Sequence, residues 1–409
     1  MMKCRHCNNK LNIKFLDLGT CPPSNSFLSK KNLVNEENCY PLRVLVCGSC
    51  WLVQTEDFVA PAEMFRPNYA YFSSISAQFL EHARNYVDNI VSRFLLNEES
   101  MVAEIAANDG YLLQYVKNKG IPCYGIEPTE SASQIAISKG IHIVREFFGK
   151  NLANSLAKRG QSADLTIANN VLAHVPDIND FVKGFCAILK PQGVAIFENP
   201  HLLKIIEKRQ FDTVYHEHFS YLSLTAVSRI FRENGLTVFD VEEFPIHGGS
   251  LRYYAQKSST GTHPISQNVE KVLSKERNSG VETSSYYELF QGQAEMIKKE
   301  FNAFLLEQKY NSKSVVGYGA AAKGNTLLNF CGAKNDLLSY IIDKNTAKQG
   351  QYTPGSKIPI VGEELLLDKK PDFVVIFPWN IVDEIEKQLS YVRKWGCKFV
   401  TAIPRLRIF

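Results

Sequence analysis

The chain has 409 residues, enough for two to four domains at the usual size of about 100 to 200 residues each, which excludes a small stapled scaffold. Hydrophobic residues make up 45% and charged residues 22%, a globular balance that excludes a disordered tail or a fibrous repeat. Lys and Arg number 46 against 42 Asp and Glu, so the net charge of +4 is too small for a broad phosphate-binding face, and no binding to long nucleic acid is expected.

The opening Met1-Met2-Lys3-Cys4-Arg5-His6-Cys7 is not followed by an apolar run, and no later stretch approaches the roughly 18 apolar residues that span a bilayer. A cytoplasmic protein without a membrane partner is expected. In a reducing compartment its ten cysteines read as ligands, nucleophiles or small core residues rather than disulfides.

Residues 1–75 are rich in Cys, Asn and Pro and lack a long amphipathic pattern, so they read as a loop-rich module held by something other than a core. From Ser76 to Leu96 apolar residues recur at helical spacing, starting a second unit that runs over residues 76–260. In it the candidate strands Met101–Ile105, Cys123–Ile126, His142–Val144, Asp164–Ala168 and Gly193–Glu198 alternate with helical patterns near 111–118, 130–138, 150–158 and 178–189. This alternation predicts an α/β fold, a doubly wound, mostly parallel sheet, which the runs 236–244 and 250–255 would close with antiparallel strands. A polar helical connector follows at 261–310. Residues 311–409 repeat the strand and helix alternation as a second, smaller doubly wound unit.

Cys4-x-x-Cys7 and Cys47-x-x-Cys50 are the strongest local signal, since each pair puts two thiolates on one tight turn and four can surround a tetrahedral Zn²⁺. Structural zinc is the expectation; catalytic zinc or a redox pair are its rivals. At the end of the first central strand stands Glu104-Ile105-Ala106-Ala107-Asn108-Asp109-Gly110-Tyr111, and Glu127 ends the next, spaced so that a carboxylate reaches a ribose. This segment resembles the S-adenosylmethionine loop of class I methyltransferases, with Ala106 and Asn108 where glycine is usual, the rival being an ordinary β-α turn. Asn169 and Asn170, leading into Val171-Leu172-Ala173-His174, would wall the same pocket. No Asp/Asn-Pro-Pro-aromatic segment of a base N-methyltransferase is present; Asn199-Pro200-His201 is half of one, after the wrong strand.

Tyr215-His216-Glu217-His218-Phe219-Ser220-Tyr221 sets two His, a Glu and two Tyr within seven residues, a general acid/base set at the sheet edge. A metal held by His216 and His218, or a satisfied polar cluster, are the alternatives. His247-Gly248-Gly249-Ser250-Leu251-Arg252 combines a turn with a fixed charge suited to a diphosphate or sugar hydroxyl, or is a plain hairpin. Gly317-Tyr318-Gly319-Ala320-Ala321-Ala322-Lys323-Gly324-Asn325 opens a helix after a strand, ready for phosphate.

Together these segments resemble the sugar C-methyltransferase family over essentially the whole chain, the Tyr-His-Glu-His stretch being the most specific. The resemblance implies three units: a zinc-binding N-terminal module, a class I S-adenosylmethionine methyltransferase sheet and a Rossmann-like C-terminal domain. It implies C-3 methylation of a nucleotide-linked 4-keto-6-deoxysugar, dTDP- or GDP-linked, through an enolate. In that reading His218 takes the C-3 proton, Tyr215 donates to the enolate oxygen, Glu217 orients or binds sugar, and His174 and Tyr69 stand near the sugar. Glu104, Ala106, Asn108, Gly110, Tyr111, Glu127, Asn169 and Asn170 face the cofactor. Tyr71, Ser73, Asn199, His201, His247, Arg252, Lys323 and Asn325 face the nucleotide sugar. Cys4, Cys7, Cys47 and Cys50 hold structural zinc. A monomer suffices. The rival enzyme reading is a cofactor-dependent O-methyltransferase of a sugar or small metabolite; a zinc-ribbon nucleotide sensor without turnover and an RNA methyltransferase are further alternatives.

Overall fold

The computed structural model describes residues 2–58, 73–75 and 77–409. The N-terminal module contributes β1 (Ile13–Cys21), β2 (Tyr40–Val46) and β3 (Val53–Thr55). These pair antiparallel, which departs from the loop-rich expectation. The strands escape a reading by alternation because the pairing of β1 with β2 slips between Lys14 and Leu16 and again between Asp17 and Thr20, so the period of two is broken.

The second unit carries β4 (Val102–Ile105), β5 (Cys123–Ile126), β6 (His142–Val144), β7 (Ala163–Asn169) and β8 (Leu189–Pro200). Each lies on its expected run. The two-residue β9 (Ser220–Tyr221) leaves this unit and pairs with β3, completing the module's sheet in the order β1-β2-β3-β9. Then β10 (Leu236–Phe244) and β11 (Ser250–Lys257) return antiparallel to β8. The seven strands run β10-β11-β8-β7-β4-β5-β6, with β8, β7, β4, β5 and β6 parallel. The order reverses between β4 and β7, where a doubly wound sheet opens its ligand crevice.

Helices cover both faces. The helix Ile178–Ile188 starts where the Asp177 carboxylate accepts from Asp180 N (2.9 Å), and Ser223 caps Leu224–Glu233 in the same way. The connector holds the 21-residue helix Phe290–Tyr310, whose Phe290, Ala294, Ile297, Phe301, Phe304 and Leu305 are buried at helical spacing.

The last unit has β12 (Val315–Tyr318), β13 (Ile341–Ile342), β14 (Ile360–Val361), β15 (Phe373–Ile376), β16 (Lys398–Thr401) and β17 (Arg407–Ile408), ordered β14-β13-β12-β15-β16-β17. β14 and β17 went unseen in the sequence because two residues carry no period.

Two cores explain how the module sits. Cys4, Cys47, Cys50 and Leu52 belong to the core beneath the central sheet, with Leu172 and Leu222. Phe15, Leu16, Val44 and Val46 belong to a second core with Phe211, Val214, Phe290, Phe301 and Leu327. At about 1.5 to 3 kcal/mol per buried large apolar side chain, both faces of the small module are held by the larger units. No helix among the described residues is long and apolar enough to cross a membrane.

Candidate functional site

The two CxxC turns meet. Cys4 Sγ lies 3.5 Å from Cys50 Sγ, and Cys7 Sγ lies 3.4 Å from Cys47 Sγ and 3.7 Å from Cys50 Sγ; all four sulfurs fall within 4.8 Å of one another. Four sulfurs at about 2.3 Å from one Zn²⁺ stand about 3.8 Å apart in a tetrahedron, so the set fits the ion with little movement. Hydrogen bonds from Cys47 and Cys50 draw the Cys4 thiol down to about 3 while the same contacts push Cys50 up. Thiols become metal ligands on losing their protons, so four crowded sulfurs give a site whose affinity depends on pH. Gln54 Nε2 donates to Cys4 Sγ (3.3 Å) and Asn9 Nδ2 to Cys7 Sγ (3.4 Å), orienting the ligands from outside. Four thiolates leave no position for water or substrate, so zinc is structural.

At the end of β4 the backbone is unusual. Ala106, Asn108 and Gly110 take φ of 57°, 50° and 73°, and Asn170, after β7, takes 53°. The two positions where glycine was expected do adopt the left-handed conformation glycine favours, held by tertiary contacts. Asn108 N donates to Glu127 Oε2 (3.0 Å), and Thr129 N donates to Glu127 Oε1 (2.9 Å). Ser73 N donates to Asn108 Oδ1 (2.9 Å), and the Ser74 hydroxyl to Asp109. Burial, then Asp109 and Glu127, push the Glu104 carboxyl well above the usual range, and burial also raises Glu127. Asn169 Nδ2 donates to the Tyr111 hydroxyl (3.4 Å). Three carboxyls around one turn form an acceptor-rich cradle that suits the ribose and the cationic methionine part of S-adenosylmethionine.

The acid/base segment is clamped onto the module. His216 Nε2–H donates to Tyr40 O (3.2 Å), Thr55 Oγ1 donates to His218 O (3.1 Å), and Asn25 Nδ2 donates to both oxygens of Glu217 (2.9 and 2.8 Å). His218 Nδ1 lies 2.8 Å from Thr213 O. A carbonyl only accepts, so Nδ1 carries the proton and Nε2 presents a lone pair. Burial and the neighbouring His174 hold His218 well below its ordinary value, and burial takes His174 to about 4. The His174 ring stands 4.6 Å from that of His218, and the Tyr215 ring 3.9 Å. His216 and His218 each bond a different carbonyl through one ring nitrogen, and the metal-type cluster found among the described residues is the cysteine set. Tyr69 and Tyr71 lie outside the described residues.

The C-terminal unit reaches the same place. Asn325 Nδ2 donates to Ser24 O (2.7 Å) and Thr326 Oγ1 to Val214 O (3.1 Å), setting the start of the helix Ala322–Cys331 beside the segment that begins at Tyr215. Burial lowers Lys323 to about 8; its Nζ donates to Asn380 Oδ1 (2.7 Å). Lys348, which no motif marked, donates to Ala320 O (2.8 Å) and is lowered by burial against the pull of Asp343 and Glu217. Burial lowers His247 to about 4.

Two expected substrate residues sit elsewhere. Arg252 is enclosed, bonded to Glu198 (2.6 Å) and packed 3.7 Å from the Tyr86 ring centroid, because β11 pairs with β8 and places Arg252 opposite Glu198. Burial opposes ionisation of Glu198, but His82 and Arg252 hold it at about 2. His201 donates through Nε2 to Glu276 (2.6 Å), whose oxygens also receive Leu224 N and Thr225 N, tying the connector to a helix start. Asn199 Nδ2 donates to the Tyr253 hydroxyl (3.2 Å) beneath the sheet edge. Asn25, Asp212, Lys348 and Trp379 were missed; Asn25 and Lys348 lie in loops and Asp212 and Trp379 in single turns of three residues, with no period or spacing to mark them.

Residues 4–65 match a zinc binding domain, 79–241 a methyltransferase domain and 245–404 a C-methyltransferase C-terminal domain. The C-methyltransferase NovU of Streptomyces niveus is 30% identical over 406 residues, covering 99% of this chain and 96% of that protein. Among solved structures, magnesium protoporphyrin IX methyltransferase from Synechocystis with bound SAH is 14% identical (TM-score 0.35; 45% of this chain, 89% of that one). An S-adenosylmethionine-dependent methyltransferase from Clostridium acetobutylicum is 11% identical (TM-score 0.35; 45% and 92%).

Proposed function

Since the chain belongs to the C-methyltransferase family and uses S-adenosylmethionine, we propose that its acceptor is C-3 of a nucleotide-linked 4-keto-6-deoxysugar. The observation that carries this reading is the protonation of His218: with Nδ1–H held by Thr213 O, Nε2 is an unprotonated base at neutral pH. O-methylation needs a base too, but the family transfers to carbon, and carbon becomes a nucleophile only when a proton beside a carbonyl is removed.

His218 Nε2 takes the C-3 proton, and the electron pair passes into the C-4 carbonyl to give an enolate. Tyr215, its ring tilted against that of His218, donates to the oxygen that gains charge. Glu217, held by Asn25, orients a sugar hydroxyl, with His174 beside it. By the family resemblance Tyr69, Tyr71 and Ser73 contact the sugar in this reading, with Asn199 and His247. S-adenosylmethionine, cradled by Glu104, Asn108, Gly110, Tyr111, Glu127, Asn169 and Asn170, supplies the electrophilic methyl carbon. Lys323, Lys348 and Asn325 face the diphosphate, an anion that compensates two ammonium groups taken out of water. All these groups come from one chain, so a monomer suffices.

A panel of dTDP- and GDP-linked 4-keto-6-deoxysugars is incubated in D₂O with and without cofactor and read by tandem mass spectrometry. One sugar should gain a methyl at C-3, and exchange deuterium there without cofactor. His218→Ala should lower both rates about 10²- to 10⁴-fold. If no sugar gains methyl or deuterium while cofactor binding is intact, the ketosugar reading is wrong.

A further inference from the structure

The base is oriented by a carbonyl that has little support of its own. Thr213 ends the single turn Phe211–Thr213, and an isolated turn of three residues is not stable by itself, so neighbours must fix where its carbonyl points. Thr213 Oγ1 donates back to Gln210 O (2.7 Å), and Gln210 Nε2 donates to Gly248 O (3.0 Å). In the middle of the turn Asp212 is 1% exposed, and its Oδ2 accepts from Trp379 Nε1 at 2.7 Å. Trp379 follows β15 and belongs to the C-terminal unit.

Gly248 shows how closely this seam is built. Its φ is +89°, and a Cβ there would stand 2.5 Å from Gln210 Nε2 and 2.6 Å from Trp379 Cη2. The glycine of His247-Gly248-Gly249 therefore makes room for the indole and for the glutamine that braces the turn. Lys323 Nζ sits 4.4 Å from the Trp379 ring centroid, placing a cation beside the buried carboxylate without replacing the indole hydrogen bond.

We propose that Trp379 is a positioning residue for His218, acting across the domain seam through its hydrogen bond to Asp212 and hence on the Thr213 carbonyl that fixes the base's tautomer. This rests on His218 being the base. The C-terminal unit thereby does more than hold the nucleotide: it completes the geometry of proton removal.

The test uses the full zinc-loaded chain, Trp379→Phe, Asp212→Ala, Asp212→Asn and the Trp379→Phe/Asp212→Ala pair. The His218 tautomer is read by ¹⁵N NMR of ring-labelled protein, assigned with His218→Gln, and deuterium uptake by the sugar is read in parallel. In the wild-type protein His218 should be Nδ1–H. Trp379→Phe should mix the tautomers and slow deuterium uptake up to about 10²-fold, the cost of a displaced reacting group. Substrate KM and cofactor affinity should stay within about twofold of wild type. Asp212→Ala should match it, the double variant should be no worse than either single one, and Asp212→Asn, which keeps an acceptor, should retain most of the rate. An unchanged tautomer and rate in Trp379→Phe would overturn the proposal, as would Asp212→Asn failing as badly as Asp212→Ala. If Trp379→Phe does not fold, as judged by cofactor binding, the two Asp212 variants decide alone. If no ketosugar exchanges deuterium in any protein but the tautomer still follows Trp379, the substrate reading fails and the positioning role stands.

Discussion

Two turns in this protein occupy equivalent places and are lined with different groups, one with carboxyls and the other with ammonium groups. In the central sheet the order reverses beside β4, and the turn after it is surrounded by Glu104, Asp109 and Glu127. In the C-terminal sheet the order reverses beside β12, and the turn after it is flanked by Lys323 and Lys348. Asp343 there is occupied with Ala320 N (2.8 Å) and faces Lys348 (3.7 Å). The same topology thus sets carboxyls around one crevice and lysines around the other. The sheet provides the place, and the side chains at the strand ends decide the ligand.

Crossed substitutions sharpen this contrast most. Lys323→Met with Lys348→Met should weaken dTDP or GDP binding about 10²-fold at unchanged cofactor affinity, two charge-assisted contacts being worth about 3 kcal/mol together. Glu127→Ala should do the reverse, weakening S-adenosylmethionine about tenfold and leaving the nucleoside diphosphate alone. Isothermal titration of all four combinations checks this; parallel losses for both ligands would erase the distinction.

The backbones of the two turns differ in a way that predicts opposite stability changes. Gly319 takes φ +84°, and a Cβ there would meet Pro378 Cδ at 2.6 Å. Gly319→Ala should therefore destabilise by about 2 kcal/mol or more. Ala106 already carries a Cβ at φ 57°, so Ala106→Gly should gain about 0.5 kcal/mol, strain relief exceeding the added chain entropy. Thermal midpoints at pH 7.5 compare the two.

The seam between the crevices gives an effect that appears only on acidification. His174 and His247 are each held at about 4 by burial, below their value of about 6.5 in an unfolded chain. A lowered pKa means the unfolded state takes the proton first, so stability is full above pH 6.5 and is lost as the pH falls toward 4. The loss is about 1 kcal/mol per ring at pH 5.5. His247→Gln should flatten the fall of the thermal midpoint between pH 7 and 5; an unchanged slope would show that its ring is solvated.

Much of the fold was legible because it repeats a simple rule. The runs at 102–105, 123–126 and 142–144 and the helices between them follow from apolar period and length. The zinc centre was legible from spacing alone. The N-terminal sheet was not, because its register slips and its fourth strand comes from residue 220, far along the chain. Arg252 and His201 looked like ligands because a charge in a turn motif and a histidine after proline carry no sign of what will face them. The structure set Glu198 and Glu276 against them.

The sequence by itself determined the three units, the four thiolates, the acid-rich turn and the clustered Tyr215, Glu217 and His218, since each depends on residues close in the chain. Only tertiary structure decided which nitrogen of His218 bonds a carbonyl, that Asn25 holds Glu217, and that Lys323 and Trp379 come to the 211–218 region from a unit more than a hundred residues away. The reason is physical: a tautomer or a buried charge is set by what stands opposite, and those partners meet only when the module, the central sheet and the C-terminal unit pack together.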